Sequence, residues 1–196
     1  ISSNPFLSFN TKEITHRFKS FQRNSAKNIT SLNHPILKHS DNYDEDVPTK
    51  KELKTFVHNL SKEDALMALV LLSTGMRKEE LLQLTTDMIN NMEELSDGEY
   101  YKLYLDSRNM SIKNNKSRSV IVNKSLRQKI IKHILSNKKN IEKFRRKNFS
   151  APTPVFISNQ GNKYSTDKLN KSFKIASVKS GYFNSHGKII YPHLLR

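Results

Sequence analysis

Three short stretches carry side chains suited to work on a phosphate: "STGMRKEELLQL" (73–84), "SIKNNKSRSVIV" (111–122) and "YPHLLR" (191–196). The first holds Arg77 and Glu80, the second Lys113, Lys116 and Arg118, the third His193 and Arg196. A phosphodiester undergoing transesterification passes through a five-coordinate phosphorus with excess negative charge on its non-bridging oxygens. Guanidinium groups are planar, permanently charged and bidentate, so they can hold such oxygens from two sides. Donors fixed in advance toward developing charge are commonly worth about 10²–10³ in rate each. A lysine crowded by other cations has its pKa lowered and can protonate a leaving oxygen. An imidazole titrating near neutrality can act as a base toward a nucleophile or donate a hydrogen bond to the phosphate.

The charge distribution names a partner for such groups. Residues 1–100 hold 12 Lys/Arg against 15 Asp/Glu, whereas residues 101–196 hold 22 against 3, so a formal net charge of +16 divides into −3 and +19. A general Lys- and Asn-rich bias would add lysine everywhere and would not strip acids from one half. A polyanion is the expected partner, and nucleic acid is the commonest polyanion for a chain of this kind. The chain has no Cys, so neither disulfides nor thiolate metal sites are available and a reducing, cytoplasmic compartment is expected. No segment approaches the roughly 20 apolar residues of a membrane span.

The elements that must position these groups are legible in the pattern. "TKKELKTFVHNL" predicts a helix capped by Thr49 with Glu52 three residues on and Leu53, Phe56, Val57 and Leu60 at helical spacing. "SKEDALMALVLLS" predicts a second, with Ser61 and Asp64 as a capping box, apolar enough to be buried on most sides and stopped at Thr74–Gly75. A third, "RKEELLQLTTDMI", follows at once. Residues 99–123 change period: Tyr101, Leu103 and Leu105 share a face, and "SIK" and "RSVIV" flank "NNKS" as a turn between short antiparallel strands. One long basic helix is expected over 125–147, with Leu126, Ile130, Ile134, Leu135 and Ile141 inward. An extended "APTPVFIS", a turn at "NQGNK" and a helix from Ser165 to Gly181 come next. Pro192 then starts a further helix, with His193 and Arg196 on one face and Leu194 and Leu195 toward the core. The fold class expected is mainly α with a small antiparallel β-sheet.

Taken together and in this order, the three stretches resemble the catalytic domain of tyrosine recombinases, the integrase and Xer-like family. Its Thr-Gly-x-Arg-x-x-Glu-Leu motif matches Thr74, Gly75, Arg77, Glu80 and Leu81. Its hairpin pattern, Gly-Lys-Gly-x-Lys-x-Arg, falls on Lys113, Lys116 and Arg118, and its His-x-x-Arg box on His193 and Arg196. The resemblance spans 48–196 and implies site-specific DNA recombination through a 3′-phosphotyrosyl intermediate, by four protomers assembled on DNA. Arg77 and Arg196 would hold the non-bridging oxygens, Lys113 would protonate the leaving 5′ oxygen, and His193 would serve as base or donor. Glu80 would fix the Arg77 guanidinium, and Lys116 and Arg118 would contact DNA. The scheme requires no metal and no cofactor.

Two departures from the family pattern shape the expectations. The hairpin glycines are replaced by Ile112 and Asn114; Asn tolerates the left-handed region, so the turn survives, but Lys116 then competes with Lys113 for the acid role. The family's nucleophilic tyrosine lies beyond the second arginine, and none of the seven tyrosines here occupies that place; Tyr191 reads as packing. The 196 residues are therefore expected to be a piece of a longer protein, inactive by itself: residues 1–47 the tail of an N-terminal DNA-binding domain plus the acidic linker "HSDNYDEDVP", and 48–196 a catalytic domain lacking its C-terminal part. The alternative readings are a basic DNA-binding module without catalysis and a phosphodiesterase using His193 with a lysine.

Overall fold

Thr49 caps the first helix, α1 (Lys50–His58), as its spacing demands: its hydroxyl accepts from the Glu52 N–H at 3.3 Å and the Glu52 carboxylate accepts from the Thr49 N–H at 2.6 Å. This is the start of the described structure, a computed structural model covering residues 48–182 and 189–195, and of Lys113 only the backbone. The expected tail and linker over 1–47, together with Arg196, lie outside the described residues.

The second helix, α2 (Lys62–Thr74), is the centre of the molecule. Ala65, Leu66, Met67, Ala68 and Leu71 have no exposed surface, as a helix apolar on all sides requires. Each such Leu or Met contributes about 1.5–3 kcal/mol through burial. At its start Ser61 caps the Asp64 N–H, but the reciprocal half of the expected capping box is absent. The buried Asp64 carboxylate is drawn instead into a polar knot, accepting from the Ser61 and Ser172 hydroxyls, each at 2.6 Å, and from the Tyr164 hydroxyl. Ser172 lies on α7 (Thr166–Ser180), which also packs on α1 through an edge-to-face Phe56–Phe173 contact with centroids 5.2 Å apart.

Two expected helices are each divided. The third becomes α3 (Lys78–Leu82) and α4 (Thr86–Asn90). The 153–155 segment bonds across the gap, with Val155 N donating to Leu84 O at 2.8 Å and Thr86 N to Thr153 O at 2.9 Å, while Thr85 caps α4. The long basic helix is two, α5 (Lys124–Ser136) and α6 (Lys138–Lys147), broken at Asn137. There the backbone leaves helical geometry at ψ 16°, and the bend lets Ile141 and Phe144 cover Ile157 in a small cluster of their own. Leu135, expected inward, is 56% exposed as a result of lying on the outer side of α5.

The sheet has three antiparallel strands in the order β1 (Glu93–Glu94), β2 (Tyr100–Leu105) and β3 (Arg118–Asn123). Tyr101 faces Val122 and Leu103 faces Val120, so this face is apolar and turned to the core except where Arg118 pairs with Leu105 at its end, and Arg127 of α5 stacks over the Tyr101 ring at 4.5 Å. The stretch "SIK" is not a strand. The β2–β3 connection is the whole of 106–117, with a neck closed where Ser107 N donates to the Ser117 hydroxyl at 2.9 Å. Among the described residues no helix is long and apolar enough to cross a membrane.

Candidate active site

α2 ends on Gly75, which adopts the left-handed conformation at φ 65° and gives its N–H to Leu71 O, so that the helix stops and the next is capped two residues on, at Arg77. Met76 is driven fully into the core by this turn, and Arg77 emerges extended, at ψ 154°, as the residue that caps α3. The "TGMR" sequence thus has a mechanical reading: a glycine stop, an apolar anchor, then a guanidinium held at a helix start.

Glu80, with no exposed surface, lies three residues on and faces back. Its Oε2 accepts from the Arg77 backbone N–H at 2.7 Å and its Oε1 from Arg77 Nη1 at 3.1 Å. Arg118, first residue of β3, donates from Nη2 to Oε2 at 2.6 Å. Burial alone would push the Glu80 carboxyl up; the Arg77 N–H and the Arg118 and Arg77 guanidinium groups together overcome that and hold it below the ordinary carboxylate range. One ionised carboxylate therefore ties two arginines into a fixed pair. Their side chains keep 26% and 32% exposure, so the pair is rooted in the protein and reaches its surface.

Lys113 sits on the connection that Arg118 ends. Its backbone opens a 3₁₀ turn, Lys113–Asn115, in which Asn114 takes φ of 66°, the left-handed geometry expected where the family pattern has its second glycine; Asn115 is left-handed too, at 50°, while Ile112, at the place of the first glycine, is extended. Ile112, just before, is buried, while Lys116 is exposed. A further tie comes from Gln83 on the exposed side of α3's end, whose Oε1 accepts from the Ser111 N–H at 2.7 Å. Neither this contact nor the Arg118–Glu80 pair was visible in the sequence, because they join residues 28 and 38 apart with no local pattern to announce them.

Pro192–Leu195 forms a single 3₁₀ turn, with Pro192 and Leu195 buried, His193 exposed and Leu194 partly buried against the core. It is held from behind by Ser177 of α7, whose buried hydroxyl accepts from Ile190 N at 2.9 Å, and the turn packs against α2 and α7. Tyr191 is 40% exposed and lies parallel to the His193 ring with centroids 6.5 Å apart, so it is a surface neighbour of the histidine and not a core residue. Arg77, Glu80 and Arg118 are thus in direct contact, the Lys113 backbone is on the segment tied to them, and His193 is on a separate turn borne by the same central helix. Among the described residues no group of three or more His, Asp or Glu side chains could hold a metal ion.

A second titratable pair lies outside this cluster. His133 Nε2 of α5 faces Glu63 Oε1 of α2 at 3.7 Å. Desolvation raises Glu63 to about 7 against the pull of Lys168, with Asp64 adding to the rise, and desolvation lowers His133. Although the distance is that of an ion pair, burial pushes both partners toward their neutral forms, and neither facing atom has a hydrogen-bond partner among the described residues.

Comparison with known proteins bears on this arrangement. The sequence model of the phage integrase family matches residues 47–196. Among solved structures, the XerH site-specific recombinase bound to palindromic difH substrate in a post-cleavage complex aligns with a TM-score of 0.55 at 17% identity, over 76% of this chain and 39% of that one. XerH in a pre-cleavage complex with difH gives 0.54 at 18% identity, over 76% and 40%. The Tn1549 transposon integrase in complex with a circular intermediate DNA gives 0.53 at 14% identity, over 90% and 60%. The chain therefore spans between about two fifths and three fifths of the lengths of these relatives in fold. No curated protein matches the sequence.

Proposed function

We propose, from the premise that this chain belongs to the phage integrase family, that it is the catalytic portion of a tyrosine-type site-specific recombinase acting on double-stranded DNA. A tyrosine outside these 196 residues attacks the phosphorus, the P–O5′ bond breaks, and the 3′-phosphotyrosyl linkage that results is later reversed by the 5′ hydroxyl of a partner strand. Arg77 and Arg196 hold the two non-bridging oxygens, a lysine protonates the departing O5′, and His193 takes or shares the proton of the nucleophile. Lys113 is that lysine; Lys116, exposed on the same turn, contacts the backbone instead. Four protomers assemble around a pair of sites. Residues 1–47 are the tail and linker of a DNA-binding domain, and the whole works in a reducing, cytoplasmic compartment, consistent with a sequence free of cysteine.

The observation that carries this reading is the Glu80 carboxylate. A fully buried acid that bonds the backbone and guanidinium of Arg77 and also Arg118 is an expensive arrangement for a surface that only grips DNA. Solvated, unanchored cations suffice to grip phosphates, whereas transition-state stabilisation gains from a guanidinium fixed in advance. The Tn1549 integrase in complex with a circular intermediate DNA, and XerH as a site-specific recombinase bound to its difH substrate, support a DNA substrate for this fold.

The test is Arg77→Ala in the intact protein on its own recombination site. Loss of strand cleavage with DNA binding retained supports the enzyme. Unchanged cleavage would remove Arg77 from the site, and RNA hydrolysis by this chain alone would favour a phosphodiesterase.

A further inference from the structure

The short helix α3 presents Glu80 and Gln83 one turn apart, and both reach the connection that carries Lys113. Gln83 Oε1 accepts the Ser111 N–H at 2.7 Å, two residues before Lys113, and Glu80 Oε2 accepts from Arg118 Nη2 at 2.6 Å, five residues after it. The Gln83 side chain is itself fixed, its Nε2 donating to Glu79 O at 2.9 Å. Between the two ties Ile112 is buried as an apolar anchor, and the turn that follows relies on two left-handed asparagines. Arg77 is the N-cap of the same helix and Gln83 its C-cap.

We infer that Gln83 and Arg118 are positioning residues that clamp both ends of the Lys113 segment to the helix that holds Arg77, so that acid and oxyanion grip are set in register by one five-residue helix. The inference rests on the recombinase reading, and on Lys113 as the acid. A flexible connection of 106–117 closed only at its Ser107–Ser117 neck would leave the ammonium free to wander over several ångströms, enough to cost most of a general acid's contribution of about 10²–10⁴. The two ties remove that freedom. They act on one half-reaction only: as the tyrosine oxygen–phosphorus bond forms and the P–O5′ bond breaks, the proton they help to deliver goes from Lys113 to O5′.

A leaving group that needs no proton isolates this role. A duplex carrying sulfur in place of the bridging 5′ oxygen at the cleaved phosphate departs as a thiolate, whereas Arg77 is required for either atom. In the intact recombinase, Gln83→Ala should slow cleavage of the oxygen substrate about tenfold, near the effect of one lost positioning bond, and cleave the sulfur substrate within about twofold of the unaltered protein. Gln83→Glu, which keeps an acceptor for the Ser111 N–H, should recover most of the rate. Hydrogen exchange should show faster exchange of the Ser111 amide in Gln83→Ala with the Leu81 amide unchanged. Equal slowing on both substrates, or no slowing on either, would overturn the clamp. Lys113→Ala is the control that separates the two layers: if it is slowed alike on oxygen and sulfur, the assignment of Lys113 fails first and the clamp with it.

Discussion

Arg118 and Glu80 are 38 positions apart in sequence, yet Nη2 of one donates to Oε2 of the other at 2.6 Å. That bond joins the third strand of the sheet to the third helix and makes the Arg77 guanidinium part of a three-membered cluster with a buried carboxylate at its centre. Removal of the carboxylate leaves two cations side by side with nothing between them. Glu80→Ala should therefore lower the stability of the folded chain by about 2–4 kcal/mol, measured by denaturant unfolding. Glu79→Ala, on the exposed neighbour, should stay within about 0.5 kcal/mol. Equal effects would mean that the cluster contributes nothing special.

The same carboxylate gives a pH signature. Its folded pKa is depressed, so the stability it contributes is present above the unfolded value of 4.5 and is lost as pH falls through the lower folded value. Acid unfolding of the Glu80→Gln variant should accordingly be less steep below pH 4.5 than that of the unaltered chain.

Glu63 should behave in the opposite sense. Burial raises its carboxyl, which faces His133, to about 7 against the pull of Lys168 and the Ile157 backbone and with Asp64 adding to the rise, so stability is greatest below the unfolded value and declines as pH rises toward 7. Glu63→Gln should match the unaltered chain at pH 4 and exceed it at pH 8 by up to about 3 kcal/mol. A constant difference across that range would contradict the burial of the charged form.

Asn114 and Asn115 bear on the fold of the Lys113 turn. At φ of 66°, Asn114→Gly should be neutral or slightly stabilising, whereas Asn114→Val should cost about 1–2 kcal/mol and loosen the turn. Thermal unfolding of the two variants side by side checks this.

What the sequence revealed, and what it hid, follows the range of the forces involved. Capping at Thr49, the Gly75 stop, the αL-tolerant asparagines and the apolar face of Tyr101, Leu103 and Leu105 depend on residues within a few positions of one another, and all are where the pattern puts them. Asn137 was invisible as a break because Ile134 and Ile141 keep helical spacing across it, and only the demand to cover Ile157 makes the bend worthwhile. The split at Thr85 likewise depends on the distant 153–155 segment. In the candidate site, residue types and order were readable, but the partnership of Arg118 with Glu80 and of Gln83 with Ser111 is a product of tertiary contact alone.

Whether the Arg77 cluster and the His193 turn serve one phosphate can be read from a crystal structure of the intact protein on its own duplex. One phosphate should have its non-bridging oxygens about 3 Å from the guanidinium groups of Arg77 and Arg196, with His193 in hydrogen-bond reach. A complex in which Arg77 stays bonded to Glu80 but no phosphate approaches it, while the DNA lies on the basic helices elsewhere, would contradict the account.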